Sequence, residues 1–95
     1  MTTKRINAIL IDSKDNVITS KEFLATGCQA WFENNGKVSS VTVTSDIPKF
    51  HKIALVDLGI SMPVYKYGQL IGETIEPIKQ GSHVHDHNIT SPRKS

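Results

Sequence analysis

All four histidines of this 95-residue chain lie in its second half, at His51, His83, His85 and His87. Three of them fall in one stretch, Gly81-Ser82-His83-Val84-His85-Asp86-His87-Asn88. In an extended strand, residues i, i+2 and i+4 share a face. That spacing puts His83, His85 and His87 on one side, with Val84 and Asp86 on the other. Neutral imidazole is the commonest protein metal ligand. Two strand histidines two residues apart can reach one ion, with a third ligand from a neighbouring strand. Zinc, Fe(II) and Mn(II) all suit such donors. The same pattern also suits solvated surface residues or part of an interface, and His-x-His alone does not decide.

No other complete catalytic set accompanies the histidines. There is no Gly-rich phosphate loop, no nucleophile elbow and no cysteine–histidine couple. The nine acids are scattered in or near turns, so no general acid and base pair stands out. The single cysteine, Cys28, cannot close an intramolecular disulfide and reads as a small filler side chain.

The elements that must position these residues read as short strands. Residues 6–11 form a first strand, ended by the turn-forming cluster Asp12-Ser13-Lys14-Asp15-Asn16. Val17-Ile18 resumes an extended segment. Thr19 and Glu22 have capping-box spacing, so a short helix through Phe23, Leu24 and Ala25, stopped by Gly27, is expected. Residues 29–32 and 37–44 flank Asn34-Asn35-Gly36, whose Asn-Gly supplies the positive φ angles of a tight hairpin turn. Trp31 and Phe32 belong to the core or cap of that hairpin, with ligand stacking by Trp31 the sharper alternative. Residues 51–57 read as a buried central strand. Residues 64–68 lead into another strand at 69–73, with Gly72 marking a bulge or close backbone approach. Residues 83–89 form a last extended segment. The fold class is therefore all-β, six to eight short strands with long turns and at most a short helix. No internal repeat is evident.

Size and charge narrow the function. One domain of this length holds a modest core, which disfavours a large self-contained catalyst. Hydrophobic residues make up 38% and charged residues 21%, the balance of a soluble globular chain. The net charge is +2, but Lys4, Arg5, Arg93 and Lys94 sit at the ends. Without those four of the eleven cations, seven lysines face nine acids, so the body is mildly acidic. A nucleic-acid partner is not expected, because no basic face gathers. No apolar run has membrane-span length and no secretory leader is seen, so the expected setting is cytoplasmic without membrane partners.

Three motifs carry a resemblance. They are Phe50-His51-Lys52-Ile53-Ala54-Leu55, Val64-Tyr65-Lys66-Tyr67-Gly68-Gln69-Leu70-Ile71-Gly72, and Ile78-Lys79-Gln80-Gly81-Ser82-His83-Val84-His85-Asp86-His87-Asn88. In this order and spacing they resemble the SAF domain of the altronate dehydratase family, as does Asp15-Asn16-Val17 near the start. The likeness runs from about Ile6 to Asn88. It implies a β-clip fold over residues 6–89, between a tail at 1–5 and a basic tail at 90–95. The family pattern has Gly where Phe50 stands, so a changed turn is expected there. Residues 29–36 look like an insertion.

The resemblance implies a part of a hydro-lyase that removes water from a sugar acid. The chain would be a small subunit or N-terminal domain, inactive alone, with a large catalytic subunit as partner. It would offer His51, Lys52, Lys66, Tyr67 and Asn88 to the acidic substrate. His83, His85 and His87 would be metal ligands, for Fe(II) or Mn(II) shared with the large subunit. Two alternatives stand beside this: a non-catalytic sugar-acid-binding module, and the small subunit of a sulfolactate sulfo-lyase. A plain metal-binding domain is a third.

Overall fold

The computed structural model describes residues 5–91, built of short strands, bridges, turns, bends and irregular segments, with no helix among the described residues. The expected tails beyond that range, residues 1–4 and 92–95, lie outside the described residues. Nine short strands occur among the described residues, one more than the upper expectation. They are β1 (Ala8–Ile9), β2 (Val17–Ser20), β3 (Gln29–Asn34), β4 (Lys37–Thr42), β5 (Lys52–Ala54), β6 (Pro63–Lys66), β7 (Gln69–Thr74), β8 (His83–Val84) and β9 (Ile89–Thr90). The last takes in Thr90, which the sequence reading placed in the C-terminal tail.

A central antiparallel sheet has the order β1-β2-β5-β8. Cross-strand partners share a face. The register therefore puts Ile18, Ile53 and His83 on one face, and Ile9, Thr19, Lys52 and Val84 on the other. Each face has its own apolar core. Ala8, Ile18 and Ile53 pack with Phe32 and Val41 of the β3–β4 hairpin. Val17, Ala54 and Val84 pack with Val64 of β6, on the side covered by β6 and β7. Ile18, Ile53, Val64 and Val84 are at most 1% exposed. Each such side chain contributes about 1.5–3 kcal/mol by leaving water.

Both hairpins turn on two consecutive residues with positive φ, Asn35 (53°) and Gly36 (81°) in one, Tyr67 (61°) and Gly68 (70°) in the other. That is the two-residue turn whose twist matches antiparallel strands. Ile71 has no partner across β6, because Val64 pairs with Gly72 and Tyr65 with Leu70. Gly72 itself is a close approach: a Cβ there would lie 2.9 Å from the Thr90 carbonyl oxygen. Both readings of that glycine are thus realised next to each other.

An internal repeat is present that the sequence hides. Four times the chain leaves a strand through a bend, makes one bridge and three residues later takes a positive φ. The bridging residues are Leu24 with Ile47, and Leu58 with Ile78. The positive-φ residues are Gly27 (93°), Phe50 (69°), Ser61 (62°) and Gly81 (89°). Hydrogen bonds repeat as well. Gly27 N donates to Val43 O and Val43 N to Cys28 O, just as Ser61 N donates to Thr74 O and Thr74 N to Met62 O. The central sheet is thus shared by two equivalent halves, each a strand, a clip, a hairpin, a clip and a strand.

The expected helix after Thr19 is absent. Thr19 is in β2, Glu22 pairs with Arg5, and the backbone of Leu24 exchanges two hydrogen bonds with Ile47 (2.9 and 2.8 Å). Long-range bridging overrides the local capping pattern. Cys28 is exposed, so it does not fill the core as expected. Phe50 occupies the left-handed conformation that glycine favours (φ 69°), as Gly81 does at the matching place in the repeat (φ 89°).

Candidate functional site

The four histidines meet at the β5–β8 edge of the central sheet. His51 enters β5, and its backbone is held by Ser20 N donating to His51 O at 2.9 Å. His83 opens β8 and pairs with Ile53. His51 Nδ1 lies 2.8 Å from His83 Nε2. The His51 ring stacks on His85 at 4.1 Å between centroids and on His83 at 5.0 Å.

The chain does not stay extended through residues 83–89. After Val84 it turns: Asn88 N donates to His85 O (3.0 Å), and the Asn88 side chain fixes the loop from inside. Its Oδ1 accepts from His85 N (2.9 Å) and its Nδ2 donates to His83 O (2.8 Å), with the residue 4% exposed. The turn brings His85 back over His51. His87 sits on the exposed outer side, tilted 35° against His83 at 5.0 Å. The three imidazoles whose donor atoms converge are therefore His51, His83 and His85, all within 4.8 Å of one another. His51 takes the place that strand periodicity gave to His87.

Crowded imidazoles disfavour charge. The His83 pKa is lowered to about 4, first by burial and then by His51, His87, His85 and Lys52. His51 is also lowered, mainly by burial and then by His85 and Lys52, while Asp86 opposes. Both are neutral near pH 7, the form that binds metal. His85 Nδ1 is buried with no partner among the described residues. Ligand nitrogens about 2.0–2.1 Å from one ion lie at most about 4.2 Å apart. Small side-chain rotations from the observed spread suffice, so these residues fit a divalent ion.

The remaining expected residues lie on the other side of the sheet. Lys52 shares its face with Thr19 and Val84. Its pKa is lowered by burial first and then by Lys66, so the two ammonium groups feel each other. Tyr67 is exposed, with Lys66 Nζ 5.0 Å from its ring centroid. Sequence reading overlooked Asp15 as the residue that builds this turn. Its buried carboxylate accepts from Tyr67 N (3.0 Å) and Gly68 N (2.8 Å). Asn16 extends the clamp, receiving Tyr65 N at 2.9 Å and donating to Pro63 O at 2.9 Å. An Asp-Asn pair in a turn before a strand was the available signal.

This two-hairpin β-clip with a histidine-lined edge is an SAF-type domain. The family model for the altronate/galactarate dehydratase SAF domain matches residues 6–92, and the chain belongs to that family. It is 38% identical over 80 residues to an altronate dehydratase of Escherichia coli (strain K12), covering 84% of this chain and 15% of that protein. It is 36% identical over 63 residues to a (2R)-sulfolactate sulfo-lyase subunit alpha of Chromohalobacter salexigens, covering 66% of this chain and 67% of that subunit. A Paracoccus pantotrophus subunit of the same name is 40% identical over 53 residues, 56% of this chain and 79% of that subunit. The chain thus spans a small fraction of the dehydratase and much of the lyase subunits.

Proposed function

We propose that this chain is the SAF part of a sugar-acid dehydratase of the altronate type, with the catalytic remainder on a large subunit. The observation that carries the reading is the convergence of His51, His83 and His85, held by Asn88. Dehydration needs a base for the proton α to the carboxylate, charge stabilisation for the enediolate, and an acid for the departing β-hydroxyl. Neutral imidazoles at His51 and His83 offer lone pairs either to a proton or to an ion, and His85 Nδ1 is buried without a partner among the described residues. On the opposite face of the sheet Lys52 and Lys66 attract anions in preference to neutral sugars, with the exposed Tyr67 beside Lys66. Asn88 serves this site by shaping the histidine turn.

Fe(II) or Mn(II), shared with the large subunit, would be held by His51, His83 and His85. When bound, such an ion supplies Lewis-acid stabilisation of developing negative charge. A cytoplasmic setting goes with this reading.

A second reading rests on coverage. The chain matches about two thirds of one sulfolactate sulfo-lyase subunit alpha but a small part of an altronate dehydratase. On that reading it is the small subunit of a lyase acting on a sulfonated hydroxy acid. The test is to mix the chain with a large subunit of the family and assay altronate, galactarate and sulfolactate. Turnover that neither chain shows alone is expected. No gain over the large subunit alone overturns the proposal, and the acid turned over separates the two readings.

A further inference from the structure

We propose that Thr19, Lys52 and Lys66 form an anion-binding site for the carboxylate or sulfonate end group of a small acid, across the sheet from the histidines. It deepens the reading above, which treats the lysines only as general attraction for an acid. Thr19 and Lys52 are register partners on β2 and β5, so their side chains stand together on one face. Lys66 follows Val64 by two residues on β6, on the strand face that sends Val64 into the core beneath. Val84, the next partner of Lys52, belongs to that same core. The three polar side chains therefore crown one apolar floor.

Three features mark the place as built for a ligand. The Thr19 hydroxyl oxygen is buried without a hydrogen-bond partner among the described residues. A buried hydroxyl left unpaired is destabilising, so its retention in a core-facing strand needs a further reason. Lys52 is half-buried with Lys66 as its like-charged neighbour, and Asp86, the carboxylate that acts on it, is exposed. Neither lysine makes an ion pair within the described residues. Two ammonium groups and one hydroxyl offer donors, and none of the three has a hydrogen-bonded or ion-paired acceptor among the described residues. A carboxylate or sulfonate supplies several acceptor oxygens and cancels the lysine–lysine repulsion in one step.

The test uses the full chain with galactarate, sulfolactate and the uncharged polyol galactitol as probes, followed by amide NMR shifts and calorimetry. Both acids are expected to shift Thr19, Lys52 and Lys66, and galactitol to shift none of them. Their relative affinities show whether carboxylate or sulfonate is preferred. Thr19→Val removes only the hydroxyl and is expected to weaken acid binding about tenfold. Its melting temperature without ligand is expected not to fall, which separates lost binding from lost folding. Lys66→Met is expected to weaken binding at least as much, and Lys37→Met, on the distant β3–β4 hairpin, to leave it unchanged. Unaltered affinity in Thr19→Val, shifts confined to the histidine edge, or no acid-dependent shift at Thr19 overturns the site. Acid binding at Thr19 without turnover in the two-subunit assay would instead remove the lyase reading and leave the site standing.

Discussion

Replacing Asn88 by alanine tests whether the histidine turn is held from within. Asn88 is 4% exposed, and its amide makes two hydrogen bonds back to the segment entering the turn, at His83 and His85. Truncation removes both and leaves the His85 N–H and the His83 carbonyl without those partners. Two net hydrogen bonds and two poorly solvated orphans cost about 2–3 kcal/mol. In a domain of this size that lowers the melting temperature by about 10–20 °C. Urea unfolding followed by Trp31 fluorescence reads the loss, since Trp31 is the chain's one tryptophan and belongs to β3. Asn88→Asp sharpens the test. It keeps an acceptor for His85 N but sets an oxygen against the His83 carbonyl, so it is expected to be no better than alanine. An Asn88→Ala variant with wild-type stability and unchanged histidine ring resonances would refute the clamp.

Other outcomes follow from the same geometry. Gly81→Ala would place a Cβ 2.1 Å from the Thr42 carbonyl oxygen at φ 89°, whereas Gly27→Ala meets nothing within 4 Å at φ 93°. The first is expected to cost more than about 3 kcal/mol and the second about 1 kcal/mol, and equal costs in chemical denaturation would count against the close packing. The folded pKa of His83, about 4, is below its ordinary value, so the unfolded chain takes up the proton first. Stability from this group is present above about pH 6.5 and is lost as pH falls towards 4, by roughly 1–2 kcal/mol after solvent screening. Denaturation of metal-free protein at several pH values checks the slope, and its persistence in His83→Gln would contradict the assignment. Phe50→Gly is expected to change stability by less than about 1 kcal/mol. Relief of the left-handed strain is offset by a more flexible unfolded chain and by loss of the Lys49 contact on the ring (4.9 Å).

The legible part of this fold was what neighbouring residues decide. Asn35-Gly36 announced its hairpin because only a few residue types accept that turn. The helix at Thr19 was misread because a capping pattern is local, while the bridge between Leu24 and Ile47 is not. The repeat escaped notice because its equivalent positions keep geometry rather than residue type: Gly27 answers to Ser61, and Phe50 to Gly81. The candidate site followed the same rule. Strand periodicity grouped His83, His85 and His87, but the chain turns at His85, and the ring that converges with His83 and His85 comes from His51, far away in sequence. Asp15 and Thr19 were invisible as site-building residues because their roles depend on strands that meet them only in the folded chain.

The central claim is that His51, His83 and His85 work as one centre. Titration with Mn(II), followed by paramagnetic broadening of the imidazole signals, tests it directly. The three rings are expected to broaden together at the same low ion concentration, with His87 affected less, and His85→Ala is expected to abolish the shared response. Broadening led by the exposed His87, or three rings responding independently, would contradict the account.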